Sequence, residues 1–256
     1  MSFGILYVAT GEKCFNEVLI NSKITRSHCN LNIVLVTDRV DQAISSGLFE
    51  EVIPHPNPHY SYRDKILPLL DIPFTSTIYL DSDACVVHQN ISSLVSFDTF
   101  DVAGSYAPVR IPPGWCDSRV PYAFPEINTG VLFFKKSKLQ TAFIQSWLNL
   151  YDSLLINHNQ AWDQASFRSV IWDFINGSPS LSFHVLPSEF NLRTTKPWTL
   201  GRGLPAYVIH GRFPQSELSP FLSYINHDID RFRFWSEWLE ISPGSKIRPR
   251  YDRTFS

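Results

Sequence analysis

The sequence predicts an α/β fold built on a central, mostly parallel sheet flanked by helices. Two observations carry this expectation. Over the first hundred residues, short apolar runs of strand length alternate with helical segments, and parallel neighbours require that crossover rhythm. The 256 residues are also 44% hydrophobic, enough to bury a sheet on both faces.

Residues 4–9 (Gly-Ile-Leu-Tyr-Val-Ala) form the first buried strand, being short, apolar and rich in β-branched and aromatic side chains. Residues 12–28 follow as a helix, with Phe15, Val18, Leu19 and Ser22 on one face. Residues 31–37 (Leu-Asn-Ile-Val-Leu-Val-Thr) make a second strand ending at Asp38. A short helix over 41–48, a strand over 51–53 and a short helix over 65–70, limited by Pro68, come next. Residues 77–80 are a fourth strand, with Asp81 and Asp83 at its carboxyl end.

After residue 100 the rhythm changes. A strand over 102–104 leads into an irregular stretch, 106–126, holding Pro108, Pro112, Pro113, Gly114, Pro121 and Pro125. With Tyr106, Trp115, Tyr122 and Phe124 inside it, this stretch reads as a binding loop or lid. A strand over 130–134 precedes an amphipathic helix over 139–155, and a further helix opens at Asn159 or Gln160 and runs to about 174. Residues 181–186 and 206–209 are further strands. The expectation is one domain over 1–256, in two halves (about 1–100 and 101–242) with a loose tail over 243–256.

A formal net charge of −2 without a basic stripe argues against a nucleic-acid partner. No run of some 18 apolar residues offers a membrane span. The apolar start is too short and poorly flanked for a signal peptide. The four cysteines, at positions 14, 29, 85 and 116, form no C-x-x-C pair, which weakens zinc and dithiol readings. A reducing, cytoplasmic setting is the simplest expectation.

Asp81 and Asp83 carry the clearest chemistry. Two carboxylates one residue apart at the end of a buried strand are costly unless something positive binds them. Ligands of open α/β sheets bind outside the carboxyl ends of strands, where Mg²⁺ or Mn²⁺ could bridge these oxygens to a diphosphate. The plain alternative is a solvated turn. His210 follows residues 206–209 directly and so lies at another strand end.

The segment Ile78-Tyr-Leu-Asp-Ser-Asp-Ala-Cys-Val86 resembles the Asp-x-Asp signature of GT-A-fold glycosyltransferases, especially the retaining glycogenin and galactosyltransferase-like group. Tyr62-Arg-Asp-Lys-Ile66, Ile127-Asn-Thr-Gly-Val-Leu-Phe133, Trp162-Asp-Gln-Ala165 and Val208-Ile-His-Gly-Arg-Phe213 resemble further family segments, in family order. The resemblance implies a single Rossmann-like GT-A domain whose first half binds nucleotide and whose second half binds donor sugar and acceptor. It implies a metal, Mn²⁺ or Mg²⁺, held by Asp81, Asp83 and His210. It further implies a nucleoside-diphosphate sugar donor, with uridine favoured, and a glycan, protein or small-molecule hydroxyl acceptor.

Residue by residue, the resemblance assigns Val8, Ala9 and Thr10 to base and ribose, where the plain alternative is a strand-to-helix turn. Asp38 is a candidate for base or ribose, or a helix cap. Lys65 would neutralise diphosphate charge. Ser82, Asn128, Thr129 and Gly130 fall along the donor, Asn128 serving sugar hydroxyls and Gly130 allowing close approach. Asp163 and Gln164 are the candidate catalytic pair, stabilising an oxocarbenium-like state if configuration is retained. An inverting enzyme would instead use Asp163 or Glu126 as base. After His210 the family shows a glycine and then Lys-Pro-Trp. Here Gly211 and Arg212 follow, while Lys196-Pro-Trp198 comes earlier, so either Arg212 or Lys196 could clamp the diphosphate. Two other readings stay open: a nucleotidyltransferase, which would carry a Gly-rich basic loop near the amino terminus, and a non-catalytic carbohydrate-binding protein.

Overall fold

A computed structural model describes residues 2–96, 99–107, 116–212, 215–227 and 229–230. The expected tail over 243–256 lies outside them, as does the centre of the 106–126 loop, including Pro108, Pro112, Pro113, Gly114 and Trp115.

Strand β1 (Phe3–Ala9) lies inside a seven-stranded sheet, with β2 (Asn32–Thr37) and then β3 (Glu51–Pro54) parallel on one side. On its other side β4 (Ser76–Leu80) is parallel. A three-residue strand, β5 (Ala84–Val86), then leaves this sheet. Next come β6 (Val102–Tyr106) and β7 (Ile127–Lys135), which run antiparallel to each other. Strand β7 sits antiparallel between β4 and β6, and β8 (Phe183–Leu186) closes the edge parallel to β6. The sheet is therefore mostly parallel, as expected, and β7 is the strand that reverses. A second, three-stranded sheet joins β5 to β9 (Leu192–Arg193) and β10 (Val208–His210).

Period-two alternation places the two halves of each strand's apolar set on opposite faces. Ile5, Tyr7 and Ala9 meet Phe15 and Val18 of α1 (Gly11–His28) and Ala43 of α2 (Val40–Ser46). Leu6 and Val8 face Ile66 of the one-turn helix α3 (Arg63–Ile66), Trp147 and Tyr151 of α4 (Lys138–His158), and Phe167 and Ile171 of α5 (Asp163–Ile175). A last helix, α6 (Gln215–Ile225), packs beside the small sheet through Phe221 and Ile225.

Several boundaries differ from the sequence reading. The helix expected from Asn159 or Gln160 begins at Asp163. Asn159 instead takes a left-handed conformation (φ 50°), which Asn tolerates, and closes α4 with Gln160 N donating to Leu154 O. The segment expected as one helix over 65–70 divides at Pro68 into α3 and a 3-10 turn, Leu67–Asp71, in whose first turn a missing N–H costs nothing. Strand β7 starts three residues earlier than expected, so Asn128 and Thr129 belong to the strand itself. Strand β8 starts at Phe183 rather than 181, and the late strand spans Val208–His210 rather than 206–209.

Candidate active site

The carboxyl ends of β1 and β4, the start of β7 and the end of β10 converge on a cavity of about 590 Å³. It is lined by Val8, Thr10, Lys65, Asp81, Ser82, Asp83, Asn128, Thr129, Gly130, Asp163, Gln164, His210 and Arg212 among the residues singled out from the sequence. Ala9, Asp38 and Gly211 stand outside the lining. Ala9 is buried in the sheet. Asp38 Oδ1 accepts from Gly11 N (3.0 Å) and so caps α1, not the helix that follows it. Gly211 N donates to Asp83 O (2.9 Å) and fixes the turn that holds the acidic pair.

Asp81, Asp83 and His210 present ligand atoms within 4.8 Å of one another. His210 Nε2 is 3.3 Å from Asp83 Oδ1 and 3.8 Å from Asp81 Oδ2. Antiparallel pairing of β5 with β10 puts His210 opposite Ala84, directly after Asp83, which is why residues so far apart in sequence meet. A Cβ on Gly130 would stand 2.0 Å from His210 Cε1 and 2.8 Å from Asp81 Oδ2. Only glycine allows β7 to pass this close to the cluster.

The orientation of the His210 ring follows from a chain of amides. Gly130 N, which can only donate, bonds to Asn128 Oδ1 (3.2 Å). Asn128 Nδ2 then donates to Gln164 Oε1 (3.0 Å), and Gln164 Nε2 to the Glu126 carboxylate (2.7 Å). In the other direction Asn191 Nδ2 donates to Asn128 Oδ1 (2.9 Å), leaving Asn191 Oδ1 to accept from His210 Nδ1 at 3.0 Å. Nδ1 of His210 therefore bears a proton directed at Asn191, and Nε2 is the ring nitrogen turned to the two carboxylates. Two carboxylates brought this close together are stable only where positive charge offsets them. The Arg193 guanidinium brings such a charge, its NH1 lying 2.8 Å from Nε2 and 2.9 Å from Nδ1. Two carboxylates and an imidazole nitrogen also form a donor set that suits Mn²⁺ or Mg²⁺, so the residues fit such an ion.

Lys65 is the second charged centre. Buried, its Nζ lies 2.9 Å from Asp163 Oδ2 and 3.2 Å from Asp81 Oδ1. Burial alone would lower the lysine pKa, but the carboxylates of Asp163 and Asp81 outweigh it and hold the ammonium protonated. Asp163 is fixed further by the Thr129 hydroxyl (2.6 Å), and Asp81 Oδ1 by the Tyr79 hydroxyl (2.5 Å). Burial would raise the Asp83 carboxyl, yet His210 together with Arg212 and Arg193 holds it well below the usual carboxylate range. Arg212 reaches Asp83 at 3.8 Å and is steadied by Glu17 at 2.6 Å. Of the two candidate clamps, Arg212 lines the cavity, whereas Lys196 lies over the Trp198 ring (5.2 Å) away from it.

Ser82 lines the cavity, but its hydroxyl donates to Glu17 Oε2 (2.9 Å) and its carbonyl accepts from Asn21 (2.7 Å), which pins the acidic turn to α1. Asp64, adjacent to Lys65 in sequence, is a structural tie that sequence reasoning missed. Its carboxylate accepts from the Thr10 hydroxyl (2.7 Å), His59 N (2.7 Å) and Tyr60 N (2.8 Å). Asn191, Arg193 and Tyr79 were also missed. The four cysteines are free, and no helix among the described residues is long and apolar enough to cross a membrane.

Solved structures share this fold. The glycosyltransferase GlyE of Streptococcus pneumoniae TIGR4 is 14% identical, with a TM-score of 0.58 over 82% of this chain and 55% of that one. Mouse xyloside xylosyltransferase 1, in its apo form, is 15% identical, with a TM-score of 0.52 over 83% of this chain and 98% of that one. The galactosyltransferase LgtC, solved with donor and acceptor sugar analogues, is 13% identical, with a TM-score of 0.50 over 82% of this chain and 87% of that one. The chain spans about half the length of GlyE. At these identities the likeness shows the fold, which is the GT-A fold. No family model and no curated protein matches the sequence.

Proposed function

Starting from a GT-A fold, we propose that this chain is a metal-dependent glycosyltransferase, one domain moving a sugar from a nucleoside-diphosphate sugar to a hydroxyl acceptor. The observation that carries this reading is the convergence of His210 Nε2, Asp81 and Asp83 beside the Lys65–Asp163 pair. Asp81, Asp83 and His210 would hold Mn²⁺ or Mg²⁺, which when bound supplies charge that stabilises a departing diphosphate. Lys65 and Arg212 add two further positive charges from the chain itself, aimed into a partly enclosed site where they act strongly. Val8, Thr10 and the exposed Tyr60 ring at Gly11 are the groups proposed for base and ribose, uridine being favoured by the resemblance.

Asn128 and Gln164, two of the three side-chain amides in that chain, are proposed to hold donor-sugar hydroxyls. Asp163 is tied to Lys65 and Thr129 rather than to a free proton path, which supports electrostatic support of a cationic sugar over general-base work. That favours retention of configuration. A reducing, cytoplasmic setting fits four free cysteines. A nucleotidyltransferase finds little support, because the turn from Thr10 to Lys13 offers one Gly and one Lys for a phosphate loop. A purely carbohydrate-binding role gives no reason for Asp81, Asp83 and His210 to converge. Incubation with a panel of UDP-, GDP- and ADP-sugars, reading release of the nucleoside diphosphate with and without Mn²⁺, tests the proposal. Release from none of them counts against it.

A further inference from the structure

Two aromatic rings at the cavity bear on the acceptor. We infer that Trp162 and Tyr62 form a stacking platform for a pyranose ring, so that the acceptor is a sugar rather than a protein side chain or a simple alcohol. This inference rests on the glycosyltransferase reading above. The two rings stack with centroids 5.9 Å apart and planes at 28°. Trp162 is 43% exposed and Tyr62 38% exposed, and both line the cavity. Large rings kept in water inside a concave site mark recognition rather than packing.

The platform is registered to the reacting groups by helix starts. Tyr62 occupies the N-cap position of α3, three residues before Lys65, whose Nζ lies 5.1 Å from the Tyr62 ring centre. Trp162 occupies the N-cap position of α5, directly before Asp163 and Gln164. The proposed base and ribose end falls instead to Val8, Thr10 and Tyr60, whose ring packs at Gly11 and whose hydroxyl reaches Asp38. Trp162 thus belongs to the helix start where the sugar chemistry is proposed.

A pyranose matches these surroundings. Its C–H face lies flat on an aromatic ring, and its edge hydroxyls meet amides and N–H donors. Gln164, an amide, follows Trp162 by two residues. A serine side chain or a short alcohol has no flat apolar face to lay on two stacked rings.

The test uses the full chain with Mn²⁺ and the best UDP-sugar from the donor panel. Methyl glycosides of glucose, galactose, mannose, xylose and N-acetylglucosamine are compared with glycerol and with a Ser/Thr-containing peptide, reading UDP release above hydrolysis. At least one glycoside is expected to accelerate release. Trp162→Ala is expected to raise its KM about tenfold, with Trp162→Phe recovering most of the loss, while the Kd for UDP with Mn²⁺ stays as in the wild type. The inference is overturned if the peptide or glycerol alone accelerates release, if no glycoside does, or if Trp162→Ala leaves the glycoside KM unchanged. It is also overturned if Trp162→Ala weakens UDP as much as the glycoside, which would make Trp162 part of the nucleotide site. Wild-type protein that neither binds UDP nor hydrolyses any donor refutes the underlying glycosyltransferase reading and, with it, the platform.

Discussion

Asn191 Oδ1 accepts a hydrogen bond from His210 Nδ1 at 3.0 Å, and the amide that supplies this oxygen is itself oriented by Asn128. The candidate metal centre is thus held by a hydrogen-bonded chain reaching from Glu126 to His210. Partners of this kind fix a ligating imidazole and raise its basicity.

Asn191→Ala removes that partner without touching any proposed ligand. Mn²⁺ affinity, measured by calorimetry, is expected to fall about 10- to 100-fold while the far-UV circular dichroism stays native. Unchanged Mn²⁺ affinity would mean that the chain does not orient His210.

Gly130→Ala places a methyl group 2.0 Å from His210 Cε1 and 2.6 Å from Nε2. Either the ring or strand β7 has to move, so Mn²⁺ binding is expected to be lost and the melting temperature to fall. Retention of both would contradict the close approach of β7 to the cluster.

Lys65→Met leaves Asp163 buried with no countercharge. Losing one partner of a buried pair costs about 3–5 kcal/mol, and a clear drop in denaturant midpoint at pH 7 is expected. A midpoint equal to the wild type would show that Lys65 does not neutralise Asp163.

Away from the cavity, Glu50 sets a pH dependence. Burial would raise its carboxyl, but Arg26 at the last turn of α1 and Ile33 N (2.6 Å) hold the pKa below its ordinary value of 4.5. A carboxyl with a depressed folded-state pKa stabilises the fold above its unfolded value, and loses that contribution as pH falls through the folded one. Between about pH 5 and 3 the wild type is therefore expected to lose melting temperature more steeply than Glu50→Gln. Parallel curves would contradict the assignment.

Much of this site is legible in the sequence because its groups stand where elements end. Asp81 and Asp83 follow an apolar strand, His210 ends another, and Asp163 with Gln164 opens a helix, so each is marked by a change of pattern. Asn191 and Arg193 carry no such mark. They sit beside and within a two-residue strand, too short for periodicity to show, and Asn191 meets Asn128 across 63 residues. Tyr79 reads as core because it is core, and only its hydroxyl reaches Asp81. The pairing of β10 with β5 and β9 is not legible, because those two strands are three and two residues long, although it is what carries His210 to Asp83.

The central claim is that Asp81, Asp83 and His210 hold a divalent cation that joins the chain to a nucleoside diphosphate. Titration calorimetry of UDP into the wild type and into Asp83→Asn, each with and without Mn²⁺, tests it most directly. The account predicts that Mn²⁺ tightens UDP binding to the wild type at least tenfold and has no effect on Asp83→Asn. Binding of UDP that is equal with and without Mn²⁺, or absent in both, would contradict it.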